Sequence, residues 1–181
     1  MLRLLPDAWR AHVWQPVERA GCHAGCAAII ALILWEAASE ERWLLPIDNT
    51  NLAFHEFGHL LFRPFGDTAS LYGGTLGQLL MPLLAAGAFW RQSQPVSFAI
   101  AMAWFFQNFH NIARYMADAR AQVLPLVGGG DHDWFNIFWR WNVIEHDIGI
   151  ARFTAAIGWL GMAACAVWLG WRYWQDRDAG S

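Results

Sequence analysis

The chain has 181 residues, which is enough for one domain of ordinary size. Hydrophobic residues make up 56% of it and charged residues only 15%, whereas soluble domains average about 45–50% and about 25%. This composition argues against a soluble or a disordered chain, and the net charge of −3 leaves no basic surface for a nucleic acid. The sequence therefore predicts an integral membrane protein with no nucleic-acid partner.

Helical segments follow one another along the chain. Residues 1–20 combine Leu and Trp with Arg, which predicts an amphipathic segment lying at the membrane interface. The apolar run at 21–38 is long enough to cross about 30 Å of hydrocarbon, whereas 134–150 carries ionisable residues and is a weak membrane candidate. We expect an all-α, polytopic transmembrane bundle of about four to six membrane helices, with one domain at 21–175 and a polar tail at 176–181. The remaining helices are predicted at 51–63, 71–90, 96–117 and 153–174.

The sharpest chemical signal is the pentapeptide HEFGH, which begins at His55 and ends at His59. Residues at i and i+4 share one face of a helix, so both imidazoles can reach a single metal ion, one per chain. Zn²⁺ suits two imidazoles and an oxygen ligand, with one position open for water, and Glu56 can take a proton from that water. The alternative is a surface helix with solvated His and Glu, but the apolar residues around the motif argue against it.

A third ligand is expected further along the chain. Asp118 is the first choice, because it ends a polar stripe on the otherwise apolar helix at 96–117, and such a stripe should face the bundle interior. The rival is His132, which follows three glycines and has Asp131 and Asp133 on either side. Both have plainer interpretations: the stripe is the solvated end of a helix, and one of the two aspartates caps the next helix. The stripe consists of Gln107, Asn111, Arg114 and Asp118.

Two other groups of residues have structural interpretations. The small residues from Gly73 to Gly77, followed by Gln78, either let helices pack closely or let a substrate backbone approach the metal, and the sequence leaves both open. The acidic and His residues at 145–147 are expected to form a solvated helix end.

An HExxH helix among hydrophobic spans, followed by a later helix with an inward Asp, resembles the site-2 protease family of intramembrane zinc metalloproteases. The resemblance covers about residues 50–120, and it implies that His55, His59 and Asp118 hold zinc while Glu56 is the catalytic base. This chain has no Pro between Asn111 and Asp118, and Ala-Asp-Ala replaces the family's Leu-Asp-Gly. The sequence resembles a minimal, divergent core of the family.

The resemblance implies a zinc-dependent endopeptidase that hydrolyses a membrane-embedded or juxtamembrane peptide bond. Its partners would be a membrane peptide or protein substrate and the lipid bilayer, and we expect a multi-pass protein of the bacterial inner (cell) membrane. One alternative is a membrane di-iron oxygenase, although the chain lacks the HxxHH-type boxes of such enzymes. Another is a non-catalytic scaffold with a structural metal, which would have no use for Glu56 as a base. The oxygenase would draw on the wider set of His55, His59, His110, His132 and His146.

Overall fold

The computed structural model describes residues 13–39, 46–127 and 131–179, and this part of the chain is all-helical without a strand. The all-α class is therefore confirmed, while residues 1–12 of the predicted interfacial segment lie outside the described residues. Two 3₁₀ turns, Arg63–Phe65 and Ile144–His146, accompany the helices. The six helices are α1 (Arg19–Ala38), α2 (Ile47–Phe62), α3 (Asp67–Arg91), α4 (Pro95–Ala117), α5 (Asp133–Arg140) and α6 (Asp147–Ala179).

Proline and glycine set the boundaries of the central helices. Pro64 lies in the 3₁₀ turn that follows α2, and Gly66 then takes a φ of 100°, a conformation that side chains disfavour. This reversal lets α3 run back along α2. Pro95 occupies the first turn of α4, where its missing N–H costs nothing.

Helix α4 lies at the centre of the bundle and contacts every other helix described above. One apolar cluster joins α4 to α5 and α6 around Ile112 and the fully buried Phe138. A second cluster joins α1, α4 and α6 around Ile29 and Leu169. Helices α2 and α3 pack against each other beside this core, so the HEFGH motif on α2 faces the middle of the molecule.

Two segments are long and apolar enough to cross a membrane, namely Arg19–Ala38 and Ile144–Asp178. The all-helical class is thus accompanied by two candidate membrane helices among the described residues, and a bundle of about four to six is not supported. The predicted weak candidate at 134–150 divides into α5, whose eight residues are too short to cross a bilayer, and the beginning of α6. Helix α6 also continues to Ala179, into the predicted polar tail.

The acidic and His residues at 145–147 were predicted to form a solvated helix end, and Asp147 departs from this prediction because it is buried. Asp147 is 1% exposed, and its two carboxylate oxygens lie 2.7 and 2.9 Å from Arg120 Nη2 and Nε. This two-point ion pair ties the segment after α4 to the beginning of α6.

Candidate metal centre

The two motif histidines lie side by side on α2, as the i, i+4 spacing predicts. His55 Nε2 and His59 Nε2 are 3.1 Å apart, and both rings point away from the helix axis toward the same place. His55 is 6% exposed, whereas the His59 side chain is 24% exposed. One imidazole is therefore buried in the bundle, and the other borders an open space.

The first residue of α5 completes the group. Asp133 Oδ2 lies 2.9 Å from His55 Nε2 and 3.1 Å from His59 Nε2. The backbone N–H of Asp133 donates to Tyr115 Oη on α4 over 3.1 Å, which fixes the start of α5 against the central helix. His55, His59 and Asp133 together could hold a metal ion, and no other group of three such ligands occurs in the described residues.

Asp118 and His132, the two predicted third ligands, are both buried but lie outside this group. Asp118 accepts the N–H groups of Val123 and Leu124, at 2.9 and 3.1 Å, and so shapes the loop after α4. His132 caps α5, because its Nδ1 accepts from Phe135 N at 3.2 Å, while its Nε2 lies 3.3 Å from Asp118 Oδ2. The structure thus places Asp133, and neither Asp118 nor His132, as the candidate third ligand, since the turn into α5 directs the first helical residue to the histidines and the cap residue toward Asp118.

The outer nitrogen of each imidazole also has a partner. His59 Nδ1 lies 2.8 Å from the carbonyl oxygen of Ser70, and the Ser70 hydroxyl donates to the His59 carbonyl in return. His55 Nδ1 lies 2.9 Å from Gln78 Oε1 on α3. Since a carbonyl or amide oxygen can only accept, both contacts favour a proton on Nδ1 and leave the Nε2 lone pair for the centre.

The spacing of the three donor atoms fits a small cation. In a tetrahedral zinc site with bonds of about 2.0–2.1 Å, neighbouring ligand atoms lie about 3.3 Å apart. The observed separations of 2.9–3.1 Å are within a few tenths of an ångström of that value. Gly74 lies directly beside the two imidazoles, because a Cβ atom there would be 2.5 Å from both Nε2 atoms. Of the two interpretations of this glycine-rich segment, close helix packing applies to Gly73 and Gly77, which pack against Gly58. Gly74 instead adjoins the two histidines.

The charge at Asp133 suits the same cation. Burial raises the pKa of its carboxyl, but the contacts with His55 and His59 lower it by more, so the pKa lies below the ordinary value. The carboxylate is therefore ionised at neutral pH. Burial lowers the pKa of His132 despite the nearby Asp118, which keeps this capping imidazole neutral.

The centre opens into a cavity of about 750 Å³. His55, His59 and Asp133 lie on its wall, and so does Glu56, the central acid of the motif. A polypeptide segment or a substrate of similar size therefore has room beside the three ligands. Apolar side chains make up much of the remaining wall, including Leu52, Leu71, Ile112, Leu124, Val127 and Trp134.

The wider histidine set of the oxygenase alternative does not gather here. His110 packs against Trp159 at the α4–α6 contact, with 4.3 Å between ring centroids, and His146 is exposed. Comparison with models of known protein families, with curated proteins and with solved structures gave no match. Asp133, Gln78 and Ser70 were not predicted as partners of the two histidines, because only the packing of α3 and α5 against α2 brings them together.

Proposed function

We propose that this protein is a zinc-dependent membrane endopeptidase, akin to the site-2 protease family that the motif resembles. The observation that carries the proposal is the convergence of three electron-pair donors, at most 3.1 Å apart, on a cavity that also exposes Glu56. Two imidazoles and one carboxylate form a typical catalytic zinc set, because they leave a fourth position open. A structural site would instead close with four protein ligands.

The chemistry divides between the metal and the chain. When bound, zinc supplies Lewis acidity, which lowers the pKa of water toward about 7 and polarises a carbonyl group. Glu56 is adjacent to His55 in sequence and lies on the cavity wall, so it can accept the proton of the attacking water. The same carboxyl group then delivers that proton to the leaving amine.

The exposed apolar surface of α6 supports the proposal that this helix lies in a lipid bilayer. Met162 and Leu169 are fully buried in the bundle, yet the opposite side of the helix is apolar too. A helix that is apolar all round belongs in a membrane or a large core. The exposed stripe consists of Phe153 (70%), Leu160 (73%), Val167 (71%), Trp171 (52%) and Trp174 (54%).

Helix α3 has a similar outer stripe, so we propose that it also crosses the membrane and that the protein is multi-pass. Its 25 residues exceed the roughly 20 that a membrane helix needs. With α3 and α6 in the cell membrane, the cavity would receive a peptide segment from within or beside the bilayer. The exposed residues of α3 are Leu76, Leu80, Leu83 and Leu84.

The metal content of the protein purified in detergent tests the centre. We expect about one zinc per chain in the wild type and none in the double variant His55→Ala/His59→Ala. Asp133→Asn should lose the metal, whereas the matched change Asp118→Asn should retain it, because Asp118 lies outside the ligand group. Two irons per chain would instead support oxygen chemistry, and a metal-free wild type would favour a scaffold.

The role of Glu56 needs a separate measurement. Glu56→Gln should bind zinc as the wild type does but lower the hydrolysis rate by about 10²–10⁴-fold, the usual contribution of a general base. The assay would place the protein in liposomes with a library of single-span peptides and identify cleavage products by mass spectrometry. Full activity of the variant would refute the assigned mechanism.

A further inference from the structure

The two metal-facing histidines are held by different kinds of acceptor. The acceptor for His59 Nδ1 is the backbone carbonyl of Ser70, which can present only oxygen. The acceptor for His55 Nδ1 is the side-chain amide of Gln78, which presents either oxygen or NH₂ depending on its orientation. His59 thus has a fixed partner, whereas the orientation of Gln78 decides which nitrogen of His55 carries the proton.

A second amide fixes the orientation of Gln78. Gln78 Nε2 donates to Asn108 Oδ1 on α4 over 3.2 Å, and Asn108 Nδ2 donates to the backbone carbonyl of Trp104 over 3.1 Å. Gln78 is 2% exposed and Asn108 is fully buried, so water does not compete for these contacts. Because the Trp104 carbonyl can only accept, it sets Asn108, Asn108 sets Gln78, and Gln78 turns its oxygen to His55.

Asp133 opposes this arrangement of the His55 proton. Its carboxylate lies 2.9 Å from His55 Nε2 and would draw the imidazole proton to that nitrogen. A proton on Nε2 occupies the lone pair that a metal needs. If Gln78 were reversed, its NH₂ group would face Nδ1 and favour that unwanted form.

We propose that Gln78 and Asn108 are positioning residues that hold His55 in the Nδ1–H form and so present its Nε2 lone pair to the metal. The inference rests on the proposed metal centre for its purpose, but the proton position can be measured without a metal. Asn111 Oδ1 lies 3.4 Å from Gln78 Nε2, farther than Asn108 Oδ1 and on the next turn of α4. It therefore provides a matched control.

The first test is the ¹⁵N spectrum of the full chain labelled at histidine, recorded without metal at alkaline pH. We expect His55 of the wild type to carry its proton on Nδ1, with an unprotonated Nε2. Asn108→Leu should move the proton toward Nε2, whereas Asn111→Leu should leave it on Nδ1. A wild-type His55 protonated on Nε2 would overturn the proposal.

The second test is zinc affinity, measured with Zn²⁺ against a chelating dye. Asn108→Leu and Gln78→Leu should each weaken binding by about 10–100-fold, the usual effect of losing an outer partner of a metal-bound histidine. Gln78→Glu keeps an acceptor at Nδ1 and should restore binding to within a few-fold of the wild type. Equal weakening by Leu and Glu at position 78 would show packing rather than proton placement and would refute the inference.

The two proposals fail in different ways. A wild type that holds His55 as Nδ1–H but binds no Zn²⁺ would refute the proposed function and leave the positioning role intact. If the wild type binds Zn²⁺ and Asn108→Leu binds it with the same affinity, the positioning role is refuted and the proposed function stands.

Discussion

Gly74 lies on α3 beside the Nε2 atoms of His55 and His59. Gly74→Ala should abolish or strongly weaken zinc binding, because the added methyl group would lie 2.5 Å from both Nε2 atoms and occupy the metal's place. Zinc content after purification measures the effect. Gly87→Ala on the same helix is the control, since a Cβ there meets nothing within 4 Å and the change should leave zinc bound. Full zinc content in Gly74→Ala would contradict the assigned metal position.

The sequence indicated two of the three candidate ligands. His55 and His59 were predictable because their relation depends on one helix and its repeat. Asp133 was considered only as a helix cap, because nothing local shows that the start of a later helix returns to α2. The burial of the polar stripe was predicted correctly for Gln107 and Asp118, yet burial alone did not tell which buried carboxylate reaches the histidines.

The crossing of α2 and α3 depends on glycine. A Cβ at Gly58 would lie 2.1 Å from the carbonyl oxygen of Gly73 and 3.0 Å from the Cα of Gly77, both of which are backbone atoms. Gly58→Ala should therefore force the helices apart and destabilise the fold by about 1–3 kcal/mol. A thermal unfolding curve in detergent measures this change, and Gly149→Ala, where a Cβ meets nothing within 4 Å, serves as the control. An unchanged melting temperature in Gly58→Ala would show that the helices lie farther apart than described.

The ion pair between Arg120 and Asp147 joins the segment after α4 to α6, and neither residue belongs to the candidate ligand group. Arg120→Gln should lower the melting temperature, since it leaves the buried Asp147 carboxylate without its two-point partner. Zinc content should remain at one per chain, because the ligand group does not include either residue. Loss of zinc together with stability would indicate that this contact also supports the position of α5.

At the scale of the whole molecule, the exposed apolar face of α6 is the surface that we propose to contact lipid. Leu160→Arg places a charge in the middle of the exposed apolar stripe and should reduce membrane insertion, at a cost of about 2.5–3.5 kcal/mol. Gln175→Arg, at an exposed position near the end of α6, should insert normally. The fraction of protein that resists extraction from membranes at alkaline pH distinguishes the two. Equal retention would argue against a lipid-facing α6.

The helices themselves were largely predictable, because long apolar stretches and the positions of Pro and Gly mark them in the sequence. The exception is 134–150, where a short helix, a 3₁₀ turn and the start of α6 replace one continuous segment. The burial of Asp147 in this segment was not predicted, because it depends on the distant Arg120 reaching this carboxylate.

The separation of the ligands along the chain has a consequence for biosynthesis. His55 and Asp133 are 78 residues apart, so a ribosome must add α3, α4 and the following loop before the third ligand exists. A nascent chain that ends before α5 carries the two histidines and Glu56 but lacks the carboxylate that completes the set. In the proposed endopeptidase, hydrolytic capacity would therefore arise only after the surrounding helices have been synthesised, which would protect the emerging polypeptide and its neighbours from premature cleavage.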